Sequence, residues 1–138
     1  MNAEELANRF VDFAAEIIRV CGTLCSDYTG KHIYGQIMRS STSTGANYEE
    51  ARGAESKADF IHKMQVVLKE IREARYWLIL IEKTKKLPEN NLSPLINEVN
   101  ELVSIITKSV KTVKSKITNH QSPISKSKIT QEQLCFPV

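Results

Sequence analysis

Apolar residues recur at alternating steps of four and three in four separate stretches of this chain, and that pattern restricts it to a bundle of helices. An α-helix turns once in about 3.6 residues, so 4,3,4,3 spacing keeps side chains on one face. The first stretch carries Leu6, Phe10, Phe13, Ile17, Val20 and Leu24. The second carries Ile33, Ile37, Ser40, Thr44, Asn47, Ala51 and Ala54. The third carries Phe60, Met64, Val67, Ile71, Ala74, Leu78 and Ile81, and the fourth Ile96, Val99, Val103, Ile106, Val110, Val113 and Ile117. Four independent seams joined by short turns predict an all-α, up-down-up-down antiparallel four-helix bundle.

Capping signals set the expected boundaries. Asn2, with Glu5 three residues on, opens a helix over 3–26. A turn over 27–31, marked by Gly30, leads to a second helix over 31–54. Ser56, with Asp59 at the third helical position, opens the third. After a turn over 87–91, the pair Ser93-Pro94 reads as N-cap and first helical residue of a fourth helix over 94–118. Residues 1–118 then form the bundle, and 119–138 a basic tail expected to be disordered alone.

The second seam is polar and small where the others are aliphatic. Ser40, Thr44 and Asn47 offer little apolar area, and Gly45 costs about 1 kcal/mol against alanine in a helix interior. Close helix approach and a fixed register explain such a choice, with Asn47 as the register-specifying residue and Ser40, Thr44 and Gly45 lining the contact. Tyr48, Glu49, Glu50 and Arg52 are expected on the outer surface. The hydroxyl run from Ser40 to Thr44 lacks the setting of a nucleophile and is expected to bond back to backbone carbonyls.

The third stretch is apolar on every face from Tyr76 to Ile81. One seam in a small bundle cannot cover Tyr76, Trp77, Ile79 and Leu80, so these residues are candidates for a homo-oligomer interface. Lys69, Glu70, Arg72, Glu73 and Arg75 precede them, as cross-helix ion pairs or a solvated face.

The chain has 138 residues, is 41% hydrophobic and 25% charged, and has a net charge of only +3. The charge is uneven. No acid falls between Glu101 and Glu132, whereas Lys108, Lys111, Lys114, Lys116, Lys126 and Lys128 do. That block is a candidate contact for an anionic polymer, with Arg39, Arg52, Arg72 and Arg75 as further phosphate-binding candidates. The plainer alternative is a solvated helix end favoured by the macrodipole. No recognition helix or stacking module supports base-specific reading.

Three cysteines without CxxC spacing fit reduced cytosolic thiols, and no stretch has the length and apolarity of a membrane span. The first residues carry no apolar leader core. Cys21 and Cys25 are read as small buried thiols, since two ligands make no metal site. Asp59-x-x-His62 is half of a carboxylate-histidine metal motif, with His62 on the outer face and no second pair. The expected cofactor and metal complement is none, and no enzyme activity is expected.

These residues also carry a resemblance. Arg39-Ser40-Ser41-Thr42-Ser43 and Gly45-Ala46-Asn47-Tyr48-Glu49-Glu50-Ala51 resemble the signature of the bacterial 23S rRNA intervening-sequence proteins. So do Ser56-Lys57-Ala58-Asp59-Phe60-Ile61-His62-Lys63, Lys69-Glu70, Glu73 and Tyr76-Trp77-Leu78. The likeness covers residues 11–83, the fourth helix agreeing more loosely and the tail lying outside it. Thr44 departs from the apolar residue usual there, a change close in shape. The resemblance implies non-enzymatic bundles assembled as five-fold rings, and relatives that serve as accessory proteins in diversity-generating retroelements. Those relatives bind nucleic acid and a reverse transcriptase. Two functions therefore stand open: a homopentameric scaffold binding RNA or DNA, and a protein-interaction module without direct nucleic-acid binding.

Overall fold

The computed structural model describes residues 1–119. The expected basic tail lies outside the described residues apart from Asn119. Four α-helices run in order: α1 (Ala3–Cys21), α2 (Tyr28–Arg52), α3 (Lys57–Thr84) and α4 (Glu89–Asn119). The connections are short, so consecutive helices are antiparallel neighbours. Ion pairs at both ends of the α2–α3 contact fix that direction: Asp27 with Lys86 at 3.3 Å, and Glu50 with Lys63 at 2.8 Å. Arg9 closes the ring of helices by bridging from α1 to Glu98 and Glu101 on α4. The result is the up-down-up-down four-helix bundle the seams predict.

The caps form as their chemistry dictates. Asn2 accepts from the Glu5 N–H at 2.8 Å while Glu5 accepts from the Asn2 N–H at 3.0 Å, a complete capping box. Ser56 Oγ accepts from the Asp59 N–H at 3.0 Å and starts α3. The core runs along the axis through Phe10, Ile17, Ile37, Met64, Ile71, Leu78 and Ile106, all fully buried. Every predicted seam residue of α3 is buried.

Three details differ from the expected pattern. First, α1 ends at Cys21 and the next five residues tighten into a 3-10 turn, Gly22–Ser26. The tighter winding leaves Val20 half-buried and brings Cys21 fully inside. Burial pushes the Cys21 thiol up to about 12. Asp27 then caps α2, its carboxylate accepting from the Gly30 N–H at 2.6 Å, so Gly30 belongs to the helix and not to the turn.

Second, the α2 seam holds at Ile33, Ile37, Ser40, Thr44 and Ala51 but passes through Tyr48 instead of Asn47. Tyr48, expected outside, is buried against Phe10 with ring centroids 5.3 Å apart. Asn47, expected on the seam, is half-buried and donates to the Ser43 carbonyl of its own helix at 2.8 Å. An aromatic ring buries far more apolar area than a carboxamide, which favours Tyr48 at the contact. Ser40, Ser41 and Thr44 are fully buried, each hydroxyl donating to a carbonyl in the preceding turn. Their small volume lets α1 approach, and a Cβ on Gly45 would lie 3.3 Å from Phe10 Cβ.

Third, α4 begins at Glu89. The Pro88 carbonyl accepts from Asn91 and Leu92, which starts the helix before Pro94 is reached. Leu92 and Leu95 fill the core, whereas the predicted Ile96 and Val113 are only partly buried. Ser93 Oγ donates to the Glu89 carbonyl instead of capping. Pro94 sits exposed in the second turn, where its missing N–H removes one intrahelical bond. With 31 residues against 19 in α1, α4 is about 18 Å longer, and its basic end extends past the cover of α1.

Candidate nucleic-acid interface

Besides its core seam, α3 carries a second one that faces water. Ala58, His62, Gln65, Lys69, Arg72, Tyr76, Ile79 and Lys83 follow steps of three and four, and all are exposed. No acid stands among them. Alongside, α4 exposes Asn97, Asn100, Ser104, Lys108 and Lys111, again without an acid. Gln65, Leu68, Lys69 and Arg72 shape an open depression of about 390 Å³ on this face.

Four of the seven carboxylates on these two helices are drawn to neighbouring helices. Arg39, on α2, takes both Glu70, at 3.2 Å, and Glu73. Arg9, on α1, takes Glu98 and Glu101, and its guanidinium is raised above its ordinary pKa chiefly by the hydrogen bonds it donates to Glu98. Among the described residues, Lys69, Arg72, Arg75, Lys108 and Lys111 form no ion pair. The α3/α4 face is therefore basic with its cations uncommitted. The α1/α4 side holds a groove of about 520 Å³ lined by Asp12, Glu16 and Glu98 together with Arg19, which pairs with Glu16.

This arrangement sorts the predicted phosphate-binding residues. Arg72, Arg75, Lys108 and Lys111 share the α3/α4 face, with Lys114 and Lys116 exposed further along α4. Arg39 and Arg52 do not join them. Arg39 is engaged by two glutamates, and Arg52 is held by Glu49 at 2.9 Å with its Nε buried. Lys69, His62 and Lys83 were not singled out as contacts by composition. The second 3,4 repeat along α3 is the signal that finds them.

The predicted interface residues also divide. Tyr76 is 58% and Ile79 40% exposed, whereas Trp77 and Leu80 are half-buried and pack on the core. Trp77 Nε1 donates to Glu73 at 3.3 Å, and the indole meets His32 edge-on at 5.9 Å and Tyr76 at 4.9 Å. A wider uncharged surface lies on the other side of the bundle. Val11 (63% exposed), Ala15 and Ile18 (44%) on α1, with Gly35, Met38 (37%), Thr42 and Ala46 on α2, are exposed and carry no charge.

Among the described residues, no group of three or more His, Cys, Asp or Glu could hold a metal ion, and His62 is exposed on the outer stripe. No helix among them is long and apolar enough to cross a membrane. Cys21 and Cys25 are free thiols.

These features define an antiparallel four-helix bundle whose ionisable groups serve ion pairs and surface, with charge sorted by face. A sequence profile described as "23S rRNA-intervening sequence protein" matches residues 4–108. The chain belongs to the 23S rRNA-intervening sequence protein family. It is similar to a crystal structure of a protein of unknown function from the S23 ribosomal protein family of Bacteroides thetaiotaomicron VPI-5482. The two are 31% identical with a TM-score of 0.72, over 80% of this chain and 99% of that one. No curated protein matches the chain.

Proposed function

We propose that this protein is a non-enzymatic, cytoplasmic, homo-oligomeric scaffold that binds the phosphate backbone of RNA or DNA through its α3/α4 face. One observation carries the reading: Lys69, Arg72, Lys108 and Lys111 are exposed and unpaired on a face from which Arg39 and Arg9 withdraw the carboxylates. Cations without partners release counterions from a polyanion, and such binding has little sequence preference.

The test is fluorescence anisotropy with mixed-sequence RNA across a salt series. Four phosphate contacts give a slope of about −3 to −4 in log K against log salt. The variant Lys69→Glu, Arg72→Glu, Lys108→Glu, Lys111→Glu changes only exposed side chains, so helicity holds while affinity at low salt and the slope both collapse. Unchanged affinity in a folded variant refutes the reading.

A second reading is favoured by the uncharged α1/α2 face. Val11, Ile18 and Met38 form the apolar centre of a protein contact, which suits another copy of the chain in a closed ring. Five copies is the number the family resemblance implies. In the variant of this reading without nucleic-acid binding, the same face holds a partner such as a reverse transcriptase.

A further inference from the structure

We propose that Tyr76 is a stacking platform for an unpaired base, so that the α3/α4 face takes single-stranded nucleic acid in preference to duplex. The inference rests on the phosphate-binding reading and narrows its ligand. Tyr76 is the only Phe, Tyr or Trp in the exposed α3 stripe. It stands four residues after Arg72, seven after Lys69 and seven before Lys83 on the same helix face. Cations therefore flank the ring on both sides, each within about 11 Å along the axis.

An exposed tyrosine alone is unremarkable, since single apolar side chains on a surface are normal. Two features set this one apart. The first is its position inside a cationic, acid-free stripe. Sequence-tolerant single-strand binding combines a positive track with aromatic faces, because every base has a π-face. The second is preorganisation. The Tyr76 ring meets Trp77 edge-on, at 4.9 Å and 76° between planes. Trp77 is fixed in turn by its bond to Glu73 and its contact with His32, and Arg39 holds Glu73. A ring ordered before the ligand arrives loses little conformational entropy on binding. Bases in a duplex are stacked on one another and offer no face to a lone ring, so duplex gains only from the cations.

The experiment uses the full chain, a short oligouridylate and a mixed-sequence RNA duplex of equal length, at low salt. Trp77 is the sole tryptophan and touches Tyr76, so its emission reports on the site. Wild type is expected to prefer the oligouridylate, with a change in Trp77 emission on binding. Tyr76→Ala should lower oligouridylate affinity about 5- to 150-fold and leave duplex affinity unchanged. Tyr76→Phe keeps the ring and should bind as wild type, which separates stacking from any general damage to α3. Retained oligouridylate affinity in Tyr76→Ala, with binding still sensitive to salt, overturns the stacking role and leaves the phosphate-binding reading intact. If wild type binds neither probe, both readings fall. If Tyr76→Ala instead dissociates an oligomer in light scattering, the ring is a subunit contact and the proposal is refuted.

Discussion

Replacing the glycines of α2 by alanine should give three different outcomes within one helix, and the sign of each follows from the space around it. In a helix interior alanine is better than glycine by about 1 kcal/mol. At Gly35 nothing lies within 4 Å of an added Cβ, so Gly35→Ala should realise that gain. At Gly45 the added Cβ would stand 3.3 Å from Phe10 Cβ, so α1 must yield by a few tenths of an ångström and the gain is roughly cancelled. Gly30 is different in kind. Its Cβ would lie 1.7 Å from the Leu24 carbonyl oxygen, 2.8 Å from the Leu24 carbonyl carbon and 2.9 Å from Asp27 Oδ1. The first two are backbone of the 3-10 turn and the third is the N-cap acceptor itself. The turn must move and the cap is lost, at about 1 kcal/mol for the cap and 1–3 kcal/mol for overpacking. Against the alanine gain, Gly30→Ala should lose about 1–3 kcal/mol. Urea unfolding at one fixed protein concentration measures all three, because assembly would otherwise shift the midpoints. Equal stability of Gly30→Ala and wild type would refute the packing of the α1–α2 turn described above, and a destabilised Gly35→Ala would refute the open space around Gly35.

The α1/α2 face gives a second test: Ile18→Lys with Met38→Lys should reduce the light-scattering mass from a multiple of 15.6 kDa to 15.6 kDa while helicity persists, and an unchanged mass removes this face as the subunit contact. A third concerns pH. The Gly30 N–H and then Lys86 hold the Asp27 carboxyl below the usual carboxylate range. Its contribution to stability is therefore complete above its unfolded pKa of about 4 and is lost as pH falls through the lower folded value. Melting temperatures of wild type and Asp27→Asn should converge on acidification, and parallel acid slopes would show that Asp27 carries no such linkage.

The parts of this fold legible in the sequence are those where a large apolar side chain decides the face. Along α3, six such positions and Ala74 agree, and all seven are buried. Along α2 the seam after Ile37 is serine, threonine and alanine, whose small areas scarcely distinguish one position from the next. There Phe10, on another helix, decides between Asn47 and Tyr48, and spacing within α2 does not contain that information. The start of α4 was hidden by a strong local signal. Ser93-Pro94 has the chemistry of a helix start, yet burial of Leu92 and Leu95 outweighs the one hydrogen bond that an interior Pro94 removes. The candidate site divides in the same way. Lys108 and Lys111 stand out because no acid is near them in sequence. Lys69 and Arg72 do not, because Glu70 and Glu73 alternate with them and make the segment look neutral.

That apparent neutrality is undone by two arginines on other helices. Residues three and four apart on a helix share a face, and neighbours in sequence do not. Lys69 and Arg72 therefore point one way, and Glu70 and Glu73 another, toward α2. Arg39 meets those glutamates there, as Arg9 meets Glu98 and Glu101 from α1. Surface pairs contribute up to about 1 kcal/mol each to stability, and these are partly buried. Their electrostatic consequence is larger. Glu70, Glu73, Glu98 and Glu101 are neutralised in part by arginines outside the basic stripe, which leaves Lys69, Arg72, Lys108 and Lys111 less opposed. Arg39 thus helps leave the α3/α4 face basic without lying on it, and through Glu73 it also holds Trp77, the neighbour of Tyr76. Charge sorting and ring placement depend on the same guanidinium.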